Sequence, residues 1–167
     1  MIDQKRMEQF LASYDRYAEA LFRHAVLRVS SHEYAEEIVQ DTFLRTWDYM
    51  KQGNAIENMR AFLYRILNNR IIDHYRTKKE VSLESLQEGD EPFDPADERL
   101  IPGETRALIS ETLRTLEKLG QEDRELIIMR YVDDLHPKEI GEVLGITANN
   151  VSVKLNRAIK ILQTFVL

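Results

Sequence analysis

Cysteine is absent from the 167-residue chain, which excludes disulfide frameworks, thiolate zinc sites and cysteine nucleophiles. No run of about 18 apolar residues occurs, so no membrane-spanning helix is expected. The opening MIDQKRMEQF is too polar for the apolar core of a secretory signal, and a cytoplasmic globular protein is the expectation. Alternating apolar and polar residues never extend far enough to mark a strand. Catalytic signatures are missing too. His24, His32, His74 and His136 are scattered, with no H-E-x-x-H pair, phosphate-binding glycine loop or paired carboxylates. No enzyme, bound metal or cofactor is expected.

What is present is charge, unevenly placed. The chain has 29 acidic and 23 basic residues and a net charge of −6, a balance that argues against a nucleic-acid partner if spread evenly. It is not spread evenly. Arg60, Arg65, Arg70, Arg76, Lys78 and Lys79 face one acid, Asp73, between residues 60 and 79. Residues 80–99 hold eight acids against Arg99 alone, and residues 145–160 hold Lys154, Arg157 and Lys160 with no acid. Residues 80–104 also contain Pro92, Pro95, Pro102, Gly89 and Gly103, a composition that buries too little surface to order itself. Residues 80–104 read as an acidic flexible linker between small domains at 1–79 and 105–167.

Apolar residues recur at spacings of three and four, so the expected fold is all-α. Phe10, Tyr14, Tyr17, Leu21 and Ala25 mark a first helix. Ser30 and Glu33 form a capping box for a second, with Ala35, Ile38, Val39, Phe43, Trp47 and Met50 inward; Gly53 and Asn54 end it. Asn58 caps a third, lined by Phe62, Ile66, Leu67, Ile71 and Tyr75. Beyond the linker, Leu108, Leu113, Leu116 and Leu119 suggest one helix and Leu126–Tyr131 another. Pro137 then suits a helix's first position, with Ile140, Val143 and Leu144 inward and Gly145 as a left-handed stop. Thr147 caps the final helix, Ile146 and Val151 form a hydrophobic staple, and Leu155, Ile159 and Leu162 continue its buried stripe. Short helix, glycine turn and longer helix make a helix-turn-helix, with Gly141 where the two helices approach. Asn149, Asn150, Ser152, Lys154 and Arg157 fall largely on other faces, where such a helix meets the major groove. The third helix mixes cations with aromatics, as single-strand binding surfaces do, although Phe62 and Tyr75 lie on its apolar stripe.

EYAEEIVQDTFLRTW (33–47), NMRAFLYRILNNRIIDHYR (58–76) and RELIIMRYVDDLHPKEIGEVLGITANNVSVKLNRAIKIL (124–162) together resemble, in order and spacing, the extracytoplasmic-function subfamily of bacterial sigma factors. The resemblance implies an N-terminal domain for core RNA polymerase and the minus-ten element and a C-terminal helix-turn-helix for the minus-thirty-five element. It implies docking on the β′ clamp helices through Glu36, Glu37, Gln40, Asp41 and Leu44, and a further contact with the β flap. The loop Lys51–Asn58 would hold a flipped base of the melted non-template strand. Asn58, Arg60, Tyr64, Arg65, Asn69, Asp73 and Arg76 would serve the minus-ten element, Asn69 matching the asparagine of a YRI-x-x-N pattern. Thr147, Asn149, Asn150, Ser152, Lys154 and Arg157 would serve duplex DNA at minus thirty-five. The linker resembles a segment that threads polymerase channels built for RNA, and family members are often restrained by an anti-sigma factor. Three features depart from the pattern: Leu119-Gly120-Gln121 replaces a proline-containing turn, His136 replaces a Ser or Thr cap, and NNVSVKLNR is less basic than many relatives.

Two other readings compete. A stand-alone helix-turn-helix regulator would bind an operator without polymerase, and a helical hydrolase would need the catalytic constellation that is missing.

Overall fold

The computed structural model describes residues 3–29, 31–84 and 103–166. Among them every regular element is helical, and the chain divides into two compact units, residues 1–92 and 93–167. In the first, α1 (Gln4–Val29), α2 (His32–Lys51) and α3 (Met59–Glu84) pack against one another. Leu21, Ala25, Ala35, Leu63, Leu67 and Ile71 are fully enclosed, and each large aliphatic side chain removed from water contributes about 1.5–3 kcal/mol. Aromatic rings extend this core: Phe10 lies 4.9 Å from Trp47 and 6.1 Å from Phe43, and Tyr14 lies 4.8 Å from Phe43.

Two local details differ from the sequence expectation. The cap of α2 is Ser31, whose hydroxyl oxygen accepts a 3.3 Å hydrogen bond from the Tyr34 amide; Ser30 lies outside the described residues. With Ser31 in the extended cap conformation, the third helical residue is Tyr34, so Glu33 cannot close a capping box. The second difference concerns the linker. Residues 80–84 continue α3 and residues 103–104 begin the next helix, because acidic side chains oppose burial but not helix formation. Its centre, residues 85–102, lies outside the described residues.

A polar cluster is built into this core. Arg28 is 2% exposed and donates from Nη1 to Asn68 Oδ1 at 3.1 Å, with His24 Nε2 at 3.3 Å. The Tyr75 hydroxyl donates to the Arg28 carbonyl oxygen. An arginine cannot shed its charge to escape desolvation, so these partners fix α1 against α3 at a single register.

In the second unit, α4 (Gly103–Glu117) and α5 (Gln121–Ile127) precede a π-helical turn at Ile128–Val132, then α6 (Pro137–Leu144) and α7 (Ala148–Val166). Neither proline nor a side-chain cap sets the α4–α5 corner at Gly120. Instead Arg124 reaches back, donating from Nε to the Leu116 carbonyl and from Nη2 to that of Glu117, both at 3.0 Å. A cation on the open carbonyls of a helix end is favourable.

The helix-turn-helix forms as its sequence signals indicate. Pro137 opens α6, with His136 as a cap that makes no side-chain hydrogen bond. Gly145 takes the left-handed conformation, φ 72°, and the Asn150 amide donates to Thr147 Oγ1 at 3.1 Å. The buried stripe of α7 is Val151, Leu155 and Ala158; Ile159 and Leu162 are only half-buried. At Gly141 a Cβ would stand 2.6 Å from the Ile146 carbonyl oxygen, so the two helices meet over bare backbone. Gly141→Ala is therefore expected to cost about 1–3 kcal/mol through overpacking despite alanine's better helix propensity, seen as a lowered denaturant midpoint for the second unit.

Candidate functional site

Three surfaces carry the residues singled out by sequence. The first is the outer face of α7. Asn149, Asn150, Ser152 and Arg157 are exposed, and Lys154 is half-buried. Thr147 is exposed as well, but its hydroxyl oxygen serves the cap. Ser152 Oγ donates to the Ala148 carbonyl at 3.2 Å, leaving its lone pairs facing solvent. Arg157 Nη2 lies 3.7 Å from Asp123 Oδ1 on α5. With no acid between Gly145 and Lys160, the face suits a polyanion. Sequence reasoning missed Val153, 61% exposed, and Asn156, also exposed. Both share the outer face with Asn149, a signal carried by the spacing of four and seven.

The second surface lies on α3. Asn58 Oδ1 accepts from the Ala61 amide at 3.1 Å and so caps the helix. Arg65, Asn69 and Arg76 are exposed and recur at intervals of four and seven along one side, while Arg60 is half-buried. Tyr64 departs from the expectation. Its ring is 2% exposed and sits edge-on to His24 at 5.5 Å, enclosed in the same core that holds Arg28, so no base can stack on it. Phe62 lies 4.9 Å from Tyr49, and Asp73 is paired with Arg70 at 3.5 Å.

The third surface is a cavity of about 450 Å³ between α2 and α3, in which Glu37, Gln40, Asp41 and Leu44 meet Arg70 and His74. Glu36 is exposed but not part of its lining. Leu44 is 63% exposed, an apolar side chain open to solvent at the rim. Asp41 Oδ2 joins the helices, 2.6 Å from Arg70 Nε and 2.9 Å from Arg45 Nε. The Tyr34 ring lies 4.7 Å from the His74 imidazole. Burial, then the Lys78 cation, holds His74 below the usual histidine value of 6.5, with Glu37 opposing. Arg70, His74 and Tyr34 were not singled out by sequence, because only packing of α3 on α2 brings them together.

Among the described residues no group of three or more side chains is arranged to hold a metal ion, and no helix is long and apolar enough to cross a membrane.

Residues 13–81 match the family described as Sigma-70 region 2, and residues 109–162 match Sigma-70, region 4. The chain is 29% identical to the ECF RNA polymerase sigma factor SigL of Mycobacterium tuberculosis over 155 residues, covering 91% of this chain and 85% of that one. It is 26% identical to the ECF RNA polymerase sigma factor SigW of Bacillus subtilis over 151 residues, covering 86% and 81%. Among solved structures, the sigma factor RpoE in complex with the anti-sigma factor NepR from Bartonella quintana superposes with a TM-score of 0.77 at 21% identity, covering 95% of this chain and 97% of that one. CnrH in complex with the cytosolic domain of CnrY gives 0.72 at 22% identity, covering 96% and 88%.

The His74 environment has a measurable consequence. A histidine held below 6.5 when folded binds its proton more readily when unfolded, so stability falls as pH drops through 6.5. Chemical denaturation from pH 7.5 to 5.5 should show this loss, and His74→Gln should flatten the slope.

Proposed function

The chain belongs to the sigma-70 family, and from that premise we propose how its surfaces divide the work of an alternative sigma factor. Such a factor acts with RNA polymerase at promoters bearing minus-thirty-five and minus-ten elements. The observation that carries the reading is the succession of a region 2 match and a region 4 match in one chain, the second ending in a helix-turn-helix with an acid-free outer face.

The α2–α3 face is the docking site for the β′ clamp helices of core polymerase. Leu44 gives an apolar anchor that water does not satisfy, and Glu36, Glu37 and Gln40 give polar contacts around it. Asp41 acts indirectly: tied to Arg70 and Arg45, it holds the rim of the cavity in shape. The exposed Arg65, Asn69 and Arg76 follow the minus-ten region, the cations on phosphates and the amide on a base. The cap Asn58 ends the loop from Lys51 that would receive a flipped base. Extrusion costs a few kcal/mol in unstacking, which capture on the protein offsets, and this selects melted DNA. The exposed amides and cations of α7 read the minus-thirty-five duplex. An anti-sigma factor is the third partner of this reading, supported by the neighbouring fold solved with one.

This division also explains the chain's acidity. Affinity for promoters comes from two short basic surfaces acting together once polymerase holds them, as linked binding sites do, so no overall positive charge is needed.

Run-off transcription from a genomic promoter pool tests the reading: the chain plus bacterial core polymerase should yield promoter-specific transcripts. Absence of both transcript and core binding rejects it. Leu44→Glu should weaken core binding by about tenfold or more, the effect of burying an unpaired charge at a hot spot, while leaving the unfolding midpoint unchanged. Asn149→Ala should leave core binding intact and reduce minus-thirty-five discrimination about tenfold, the worth of one bidentate base contact.

A further inference from the structure

An outward-facing helix position normally carries a polar side chain. On α7 the buried stripe is Val151, Leu155 and Ala158. Opposite it, at spacings of three and four, run Asn149, Val153, Asn156, Arg157 and Lys160, all exposed. Val153, 61% exposed, thus stands near the centre of the outward face with amides and cations around it. A single exposed apolar residue is unremarkable elsewhere on a protein. This one occupies the second turn of the helix that enters the major groove in a helix-turn-helix.

The neighbouring arginine is differently placed. Arg157 Nη2 lies 3.7 Å from Asp123 Oδ1, and the Asp123 side chain is only 15% exposed. Among the described residues that oxygen accepts no hydrogen bond, and the Arg157 side chain beside it is itself 62% exposed, so the cation stands at the flank of the outward face. At the centre of the outward face stand two amides, Asn149 and Asn156, with the branched apolar Val153 between them. In the major groove the complement of an amide is adenine, and the apolar group a base pair presents is the thymine 5-methyl.

We infer that Val153 is a specificity-determining residue that packs on a thymine methyl in the minus-thirty-five element, with Asn149 and Asn156 pairing to adenines. This rests on the sigma-factor reading above and adds to it the base chemistry of the site.

The test uses the full chain with core polymerase on a promoter recovered by the run-off selection. Each thymine of the minus-thirty-five element is replaced in turn by deoxyuridine, which removes only the 5-methyl group. At one position the replacement should weaken the promoter complex about fourfold, the worth of one buried methyl group. Val153→Ala should weaken the natural promoter by a similar factor and be insensitive to that deoxyuridine. Val153→Thr, which keeps a methyl, should retain the sensitivity. The inference is overturned if no thymine position responds, if the element has no thymine opposite α7, or if Val153→Ala responds as strongly as the natural chain. Normal promoter-specific transcription without any deoxyuridine response overturns this inference alone. Failure to form a promoter complex at all overturns the sigma-factor reading and this inference with it.

Discussion

The first unit depends on one buried charge. Arg28 sits at 2% exposure, and a guanidinium taken out of water is tolerated only if its donors are matched. Asn68 from α3 and His24 from α1 face it, and Tyr75 closes on its carbonyl oxygen. Rotating α3 would break these contacts together. Fixing the rotation of α3 decides its outward residues: with Asn68 turned into the core, the adjacent Asn69 must face solvent. The same rotation encloses Tyr64 and exposes Arg65. A polar core cluster thus sets the surface that DNA is proposed to meet.

On the other flank of α3, the Asp41–Arg70 pair joins it to α2 and walls the cavity beneath Leu44. Ion pairs this exposed add little stability, so their consequence here is geometric: they hold acids, an imidazole and an apolar rim in one surface. The second unit reaches a comparable end by different means. Close backbone approach at Gly141 and the left-handed Gly145 set the helix-turn-helix angle, and the Arg124 guanidinium caps the α4 carbonyls at the Gly120 corner. Arg157 Nη2 lies 3.7 Å from Asp123 Oδ1, so α5 and α7 also meet through a loose ion pair.

Much of this was legible in the sequence, because the signals are local. Helical spacing, the asparagine cap at 58, the proline and glycine that bound α6, and the threonine cap of α7 each act within a few residues. Three blocks in fixed order were enough for the family. What misled was also local: Ser30 and Ser31 are adjacent candidates for one cap, Tyr64 reads as a minus-ten contact beside Arg65, and residues 80–84 read as linker although helix propensity carries α3 through them.

By itself, then, the sequence determined the helices, the helix-turn-helix, the separation of basic and acidic segments and the family, since each rests on short-range pattern or composition. Tertiary structure alone decided which of two neighbouring asparagines is core and which is surface, that Tyr64 is enclosed, that Arg70 and His74 join Asp41 in one cavity, and that Val153 stands among the amides of α7 while Arg157 lies beside Asp123. These depend on the rotation of one helix against another, and that rotation is set by contacts between residues as far apart as Arg28 and Asn68, which no short stretch of sequence contains.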